Sequence, residues 1–204
     1  ILGARPVWVA GSTHAGEDEQ LLEAHRAVLG QHPQALLVIV PRHPDRFGSV
    51  AELAEKAGFN VARRSLQQDP AHAQVYLGDT MGELMMLYGA SDLAFIGGSL
   101  IPRGGHNPLE PAAWGIPVFS GHHVFNFETI YERLLEDRGV SLVDGADELA
   151  AQGGELFASP DVGQETGQGA LAGVNKNRRA PDQVGVGECH VNQTGGGGGG
   201  DGGR

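Results

Sequence analysis

Cysteine is nearly absent. Cys189 is the only one in 204 residues, which excludes an internal disulfide framework and a cysteine-built zinc site. Positive charge is scarce as well: 14 Lys and Arg stand against 25 Asp and Glu, for a formal charge of −11. A surface for general nucleic-acid or anionic-membrane binding needs clustered cations that this balance does not supply. Any anionic ligand must therefore be held by local groups. No run reaches the roughly 18 apolar residues of a membrane span. The G-x-G-x-x-G fingerprint and the Walker pattern are both missing, which argues against NAD and ATP. The opening ILGARPVWVAG has no signal-peptide layout and no initiator Met, and it starts directly on a strand-like run. That beginning reads as a fragment whose upstream part is missing.

Glycine, by contrast, is abundant and unevenly placed. Of the 33 glycines, 14 fall in residues 163–204, and six are consecutive at 195–200. This tail holds only five large apolar residues, Leu171, Val174, Val184, Val186 and Val191. Too little apolar surface to offset the ordering entropy predicts a disordered Gly-rich tail over 163–204. Its four basic and four acidic residues cancel, so the whole net charge belongs to residues 1–162. That body is the expected domain. Within it, short β-rich runs at 6–10, 36–40, 73–77, 93–97, 117–119 and 140–143, with a further short one near 59–63, alternate with helical spacing over 17–30, 46–58, 80–89, 107–115 and 125–136. Alternation of this kind predicts βαβ units on a parallel sheet, a Rossmann-like α/β sandwich. In such sheets ligands sit outside the carboxyl ends of the strands, so the segments after each strand are the ones that carry function.

Four of those segments stand out. Gly11-Ser12-Thr13-His14-Ala15-Gly16-Glu17 offers small residues and hydroxyls where a ligand could approach backbone N–H groups. The same residues also read as a plain helix start, with Ser12 or Thr13 as cap. Pro41-Arg42-His43-Pro44-Asp45-Arg46 brings a guanidinium, a planar fork suited to phosphate, onto a stiff turn. In Gly78-Asp79-Thr80-Met81-Gly82-Glu83-Leu84, Thr80 and Glu83 have capping-box spacing, while Gly82 in a first helical turn suggests a ligand packed there. The fourth and densest segment runs from Gly97-Gly98-Ser99 to Gly104-Gly105-His106-Asn107-Pro108-Leu109-Glu110. Asn107 is a good N-cap, Pro108 suits the first helical position, and Glu110 falls where a capping partner would. The two glycine pairs are left to be explained by something approaching the backbone. His122-His123 has no metal-ligand spacing around it, so no metal site is expected.

Taken together, these four blocks resemble the bacterial 3-deoxy-D-manno-octulosonic acid (Kdo) transferases over about residues 6–150, in order and in spacing. The resemblance implies the C-terminal, donor-binding domain of a GT-B glycosyltransferase that takes Kdo from CMP-Kdo to the lipid A precursor in lipopolysaccharide synthesis. It implies no resident cofactor or metal, a place at the cytoplasmic face of the bacterial inner membrane, and a general base carried by an N-terminal acceptor half outside these residues. On that reading Arg42 contacts the CMP phosphate, and Gly97, Gly98 and Ser99 leave room for the nucleotide. The backbone at His106 and Asn107 completes an anion site, Glu110 accepts from ribose hydroxyls, and Gly82 and Glu83 line the pocket. Ser12 and Thr13 belong to the same ligand-facing set. Two alternatives stay open: another sugar-nucleotide enzyme of the same fold, such as a UDP-sugar transferase or epimerase, or a non-catalytic nucleotide-binding module.

Overall fold

The computed structural model describes residues 4–179. Seven strands, β1 (Val7–Thr13), β2 (Leu36–Pro41), β3 (Val61–Arg63), β4 (Val75–Leu77), β5 (Leu93–Ile96), β6 (Val118–Ser120) and β7 (Val140–Leu142), form one sheet in the order β3-β4-β2-β1-β5-β6-β7. Every pairing is parallel. Parallel neighbours need crossovers between them, and helices α1 (Asp18–Gln31), α2 (Phe47–Lys56), α3 (Leu84–Gly89), α4 (Leu109–Ala112) and α5 (Glu128–Glu136) lie in these connections, while α6 (Ala146–Ala158) follows β7. All six residues of β2 are buried, as a strand covered on both faces requires. Alternate strand residues feed different cores. Trp8, Ala10, Leu37, Ile39 and Phe95 pack with Leu21, Val50 and Leu149 on one side. Val7, Val9, Leu36, Val38 and Ala94 pack with Leu87 and Tyr88 on the other. The Rossmann-like parallel sandwich expected from the alternation is the fold observed.

The chain leaves β1 in opposite directions, through β2 on one side and through β5 on the other. The switch point, where crossovers diverge and leave a crevice, therefore lies between the carboxyl ends of β1 and β5.

The carboxyl-terminal boundary differs from expectation. Order does not stop near residue 162: α7 (Pro160–Arg179) runs for 20 residues and packs on α4, α5 and α6. Glycine content misleads here because these glycines are contact points. A Cβ on Gly167 would lie 1.9 Å from the Gly115 carbonyl oxygen, and one on Gly173 would lie 2.4 Å from the Leu134 side chain. Small residues let the helix backbone sink onto its neighbours, where Ala170 and Val174 join the core of Ile96, Val118 and Leu134. Lys176 pairs with Asp137, and Arg133 donates to Asn177 at 3.0 Å. The rest of the expected Gly-rich tail, with Cys189, lies outside the described residues.

Candidate functional site

A cleft of about 400 Å³ opens at the carboxyl edge of the sheet beside this switch point, lined among others by Ser12, Arg42, Thr80, Met81, Gly82, Met85, His106, Asn107 and Glu110. Segments after four different strands thus converge on one space. A second cavity, about 440 Å³, lies at the opposite edge beside Arg5, Asp92 and Phe157. Its charged groups are already engaged: Arg5 donates to several backbone carbonyls, including Ala73 at 2.6 Å, and Asp92 accepts the Val7 N–H at 2.8 Å. We therefore place the candidate site in the carboxyl-edge cleft.

The first wall comes from β1. Register with β2 passes from Gly11 opposite Val40 to Thr13 opposite Pro41, which leaves Ser12 as a bulge. Ser12 has φ of +57°, a left-handed conformation uncommon for a side-chain-bearing residue and often retained at functional sites. Thr13 does not share this exposure. It is fully buried, and its hydroxyl donates to Asp18 Oδ1 at 2.7 Å while Asp18 pairs with Arg46. Neither Ser12 nor Thr13 caps α1, whose N-cap is Glu17.

Glu17 does something the sequence did not reveal. Fully buried, it accepts four backbone N–H bonds: His14 (3.0 Å) and Gly98 (2.8 Å) at Oε2, Ser99 (3.0 Å) and Leu100 (3.1 Å) at Oε1. Burial pushes this carboxyl upward while the four donors favour its ionised form. The carboxylate staples the loop after β1 to the loop after β5. Only the long-range N–H partners, at residues 98–100, distinguish it from an ordinary first-turn glutamate.

The glycines after β5 serve the backbone itself. A Cβ on Gly97 would stand 2.2 Å from the Ser12 carbonyl oxygen, so this glycine lets two strand ends pass and does not make room for a ligand. Gly98, at φ +71°, lies under two rings, with His14 and His106 atoms 3.3 Å from where its Cβ would be. Ser99 is fully buried, accepts the Gly121 N–H at 2.8 Å and donates to the Ile96 carbonyl, so its hydroxyl is not available to a nucleotide. These are corrections to the expected roles of Gly97 and Ser99.

The remaining groups divide in the same way. Gly82 has φ of +80° and precedes α3, so backbone conformation accounts for it where a ligand was expected to. The Glu83 carboxylate turns to the Thr80 hydroxyl (2.6 Å) and the Arg64 guanidinium (2.9 Å), away from both the capping box and the cleft lining. Asn107 falls one residue short of the expected cap: the N-cap of α4 is Pro108, and Asn107 Oδ1, just before it, accepts the Leu109 N–H at 3.0 Å. That bond uses a donor of a helix only four residues long, so the expected anion site at this helix start is slight. Glu110 makes no capping bond. Its carboxyl is raised by burial, with no bonded or charged partner contributing, and it is exposed along the cleft. Arg42 is likewise exposed, anchored by its N–H to the Thr13 carbonyl at 2.9 Å.

The electrostatics of this corner oppose those of the chain as a whole. His14 Nε2 lies 2.9 Å from His106 Nε2, with ring planes 3° apart, and His43 meets His14 edge-on at 5.6 Å. Burial, then His106, His43, Arg103 and Arg46, pull His14 down to about 4. Burial, Arg42 and His43 lower His106. A −11 chain thus places the Arg42 and Arg103 guanidinium groups beside two neutral imidazoles, where an anion could be held. His14 and His43 stand within the sequence motifs, yet nothing in the sequence marks them as meeting His106. Among the described residues no group of three or more His, Cys, Asp or Glu is arranged to hold a metal ion.

No family model matches the chain. It is 48% identical over 178 residues to the 3-deoxy-D-manno-octulosonic acid transferase of Haemophilus influenzae, covering 86% of this chain and 42% of that protein. The chain therefore spans less than half the length of this curated relative. It superposes on the crystal structure of the C-terminal CMP-Kdo binding domain of WaaA from Acinetobacter baumannii with a TM-score of 0.80 and 35% identity, covering 88% of this chain and 92% of that one. An Anabaena protein solved with UDP and glucose reaches a TM-score of 0.63 at 17% identity, over 86% of this chain and 45% of that one, a likeness of fold alone.

Proposed function

The chain belongs to the Kdo transferase family, and from that premise we propose that it is the donor-binding part of a glycosyltransferase moving Kdo from CMP-Kdo to a lipid A precursor in lipopolysaccharide synthesis. One observation carries the reading. A single cleft of nucleotide size is lined by an exposed guanidinium, Arg42, and by a carboxylate, Glu110, with no bonded partner among the described residues. Arg42 would donate to the phosphate, with His106 beside it. Glu110 would accept from ribose hydroxyls. The exposed thioethers of Met81 and Met85 give a polarizable wall for a flat base.

When the sugar–phosphate bond breaks, the departing CMP gains one negative charge. The Arg42 guanidinium, already in place, stabilises this charge more than it stabilises the bound donor, which is what accelerates the step. The donor enters as a substrate, and the reading asks for no resident cofactor. We assign deprotonation of the acceptor hydroxyl to the remainder of the full-length protein, working at the cytoplasmic face of the inner membrane. Calorimetric titration of the chain with CMP and with UMP tests the donor class. CMP should bind the more tightly; equal affinity, or a preference for UMP, would point to a UDP-sugar enzyme of the same fold.

A further inference from the structure

We propose that His14 and His106 form a proton-accepting unit of the phosphate subsite, so that an arriving phosphoryl anion draws one proton from solvent onto the pair. The inference rests on the nucleotide reading above and goes beyond it, because it assigns a protonation event to two named rings.

The geometry is restrictive. Two Nε2 atoms 2.9 Å apart on nearly coplanar rings can be bonded only if one of them carries a proton and the other a lone pair. If both rings are neutral, the direction of that bond fixes the outer nitrogen of His106. With His14 donating, His106 Nδ1 bears hydrogen; with His106 donating, Nδ1 is a lone pair. His106 is the member that lines the cleft. An anion near it is accepted only in the first arrangement, or after one added proton, when His106 keeps hydrogen on both nitrogens and still donates to His14. The pair can thus become a singly charged imidazolium–imidazole unit without breaking its internal bond. Gly98 makes this pairing possible, since a Cβ there would press both rings at 3.3 Å.

Surroundings determine when the proton is taken. From the turn after β2 the pair is faced by Arg42, His43 and Arg46, and from the loop after β5 by Arg103. On the α1 side, Glu17 is enclosed by its four N–H donors, and Asp18 is paired with Arg46. Arg42 and Arg103 are the neighbouring cations with no carboxylate partner among the described residues, and Glu110 from α4 lines the same cleft as His106. Burial first, and then these cations, hold the free pair neutral, with His14 pulled down to about 4. A phosphoryl anion placed among Arg42 and His106 reverses the sign of the local field and favours the charged unit.

The test uses cytidine 5′-methylphosphate, a diester whose single charge does not titrate between about pH 5 and 8, with cytidine as the phosphate-free control. Calorimetry near pH 5 in buffers of different ionisation heat should show uptake of about 0.4 proton or more with the ester, the amount that a one-unit rise from about 4 gives, and less with cytidine. Affinity for the ester should rise as pH falls, by at most about tenfold per unit. His14→Phe should remove the uptake and flatten this dependence. As a readout that needs no variant, ring-nitrogen NMR of the unsubstituted chain should show His14 or His106 titrating at least about one unit higher with the ester bound. Ester binding without proton uptake would overturn the inference and leave the nucleotide reading standing. Uptake that persists in folded His14→Phe, or rings that do not shift, would overturn it too. If neither ester nor cytidine binds, the nucleotide reading fails and the inference goes with it.

Discussion

Substitution of Glu17 by Gln isolates the staple between the loops after β1 and β5. The carboxylate is fully buried and divides four N–H acceptances evenly between its oxygens. Glutamine keeps one oxygen, so two backbone N–H groups lose an acceptor and face an amide N–H₂ instead. A hydrogen bond to a charged group contributes about 1.5–3 kcal/mol, and a buried donor left without a partner carries a further desolvation cost. Removal of a buried charge offsets part of the loss. The net destabilisation should be about 2–4 kcal/mol, which for a chain of this size lowers Tm on the order of 5–15 °C. Urea melts of the parent and Glu17→Gln, followed by tryptophan fluorescence, measure it directly. Because His14 and Gly98 are both held by this carboxylate, CMP affinity should fall in the folded variant as well. A stability change below about 0.5 kcal/mol would refute the staple.

The remaining expectations concern buried His25 and helix α7. His25 accepts from Trp8 Nε1 at 3.0 Å and donates to the Gln74 carbonyl at 2.7 Å, a neutral arrangement, and burial holds it down to about 4. The unfolded chain takes up this proton near the ordinary value while the folded one does not. His25 should therefore remove about 2 kcal/mol of stability between pH 7 and 5, with further loss ending near the folded value; His25→Gln, less stable at pH 7, should show a shallower decline in pH-dependent urea melts. Limited proteolysis should leave α7 within the protected core, and Gly167→Val, whose side chain would meet the Gly115 carbonyl, should expose α7 to early cleavage. A parent core ending near residue 160 would contradict the docking of α7.

The order of strands and intervening helices was legible because two-sided burial writes itself into runs such as Leu36–Pro41. The loops after β1, β2, β4 and β5, singled out in the sequence, meet at one cleft. What the sequence concealed depends on distance along the chain or on backbone atoms. Glu17 meets three of its four N–H donors 81 to 83 residues away, and backbone N–H groups carry no residue signature. His14 and His106 are 92 residues apart. Ser99 and Thr13 looked like ligand-facing hydroxyls, yet each completes a buried internal bond. Helix α6 was not anticipated, with Gly153 and Gly154 in its interior. In α7 the glycines were read by composition, whereas their use is to let backbones touch.

The central claim is that Arg42 and Glu110 hold different parts of one nucleotide. It is tested most directly by calorimetric titration of the parent chain, Arg42→Ala and Glu110→Gln with CMP and with cytidine. Loss of a charge-assisted phosphate bond is worth about 1.5–3 kcal/mol, so Arg42→Ala should weaken CMP roughly tenfold to a hundredfold and leave cytidine nearly unchanged. Glu110→Gln should weaken CMP and cytidine together, since both carry the ribose. Unchanged CMP affinity in both folded variants would contradict the placement of the nucleotide in this cleft.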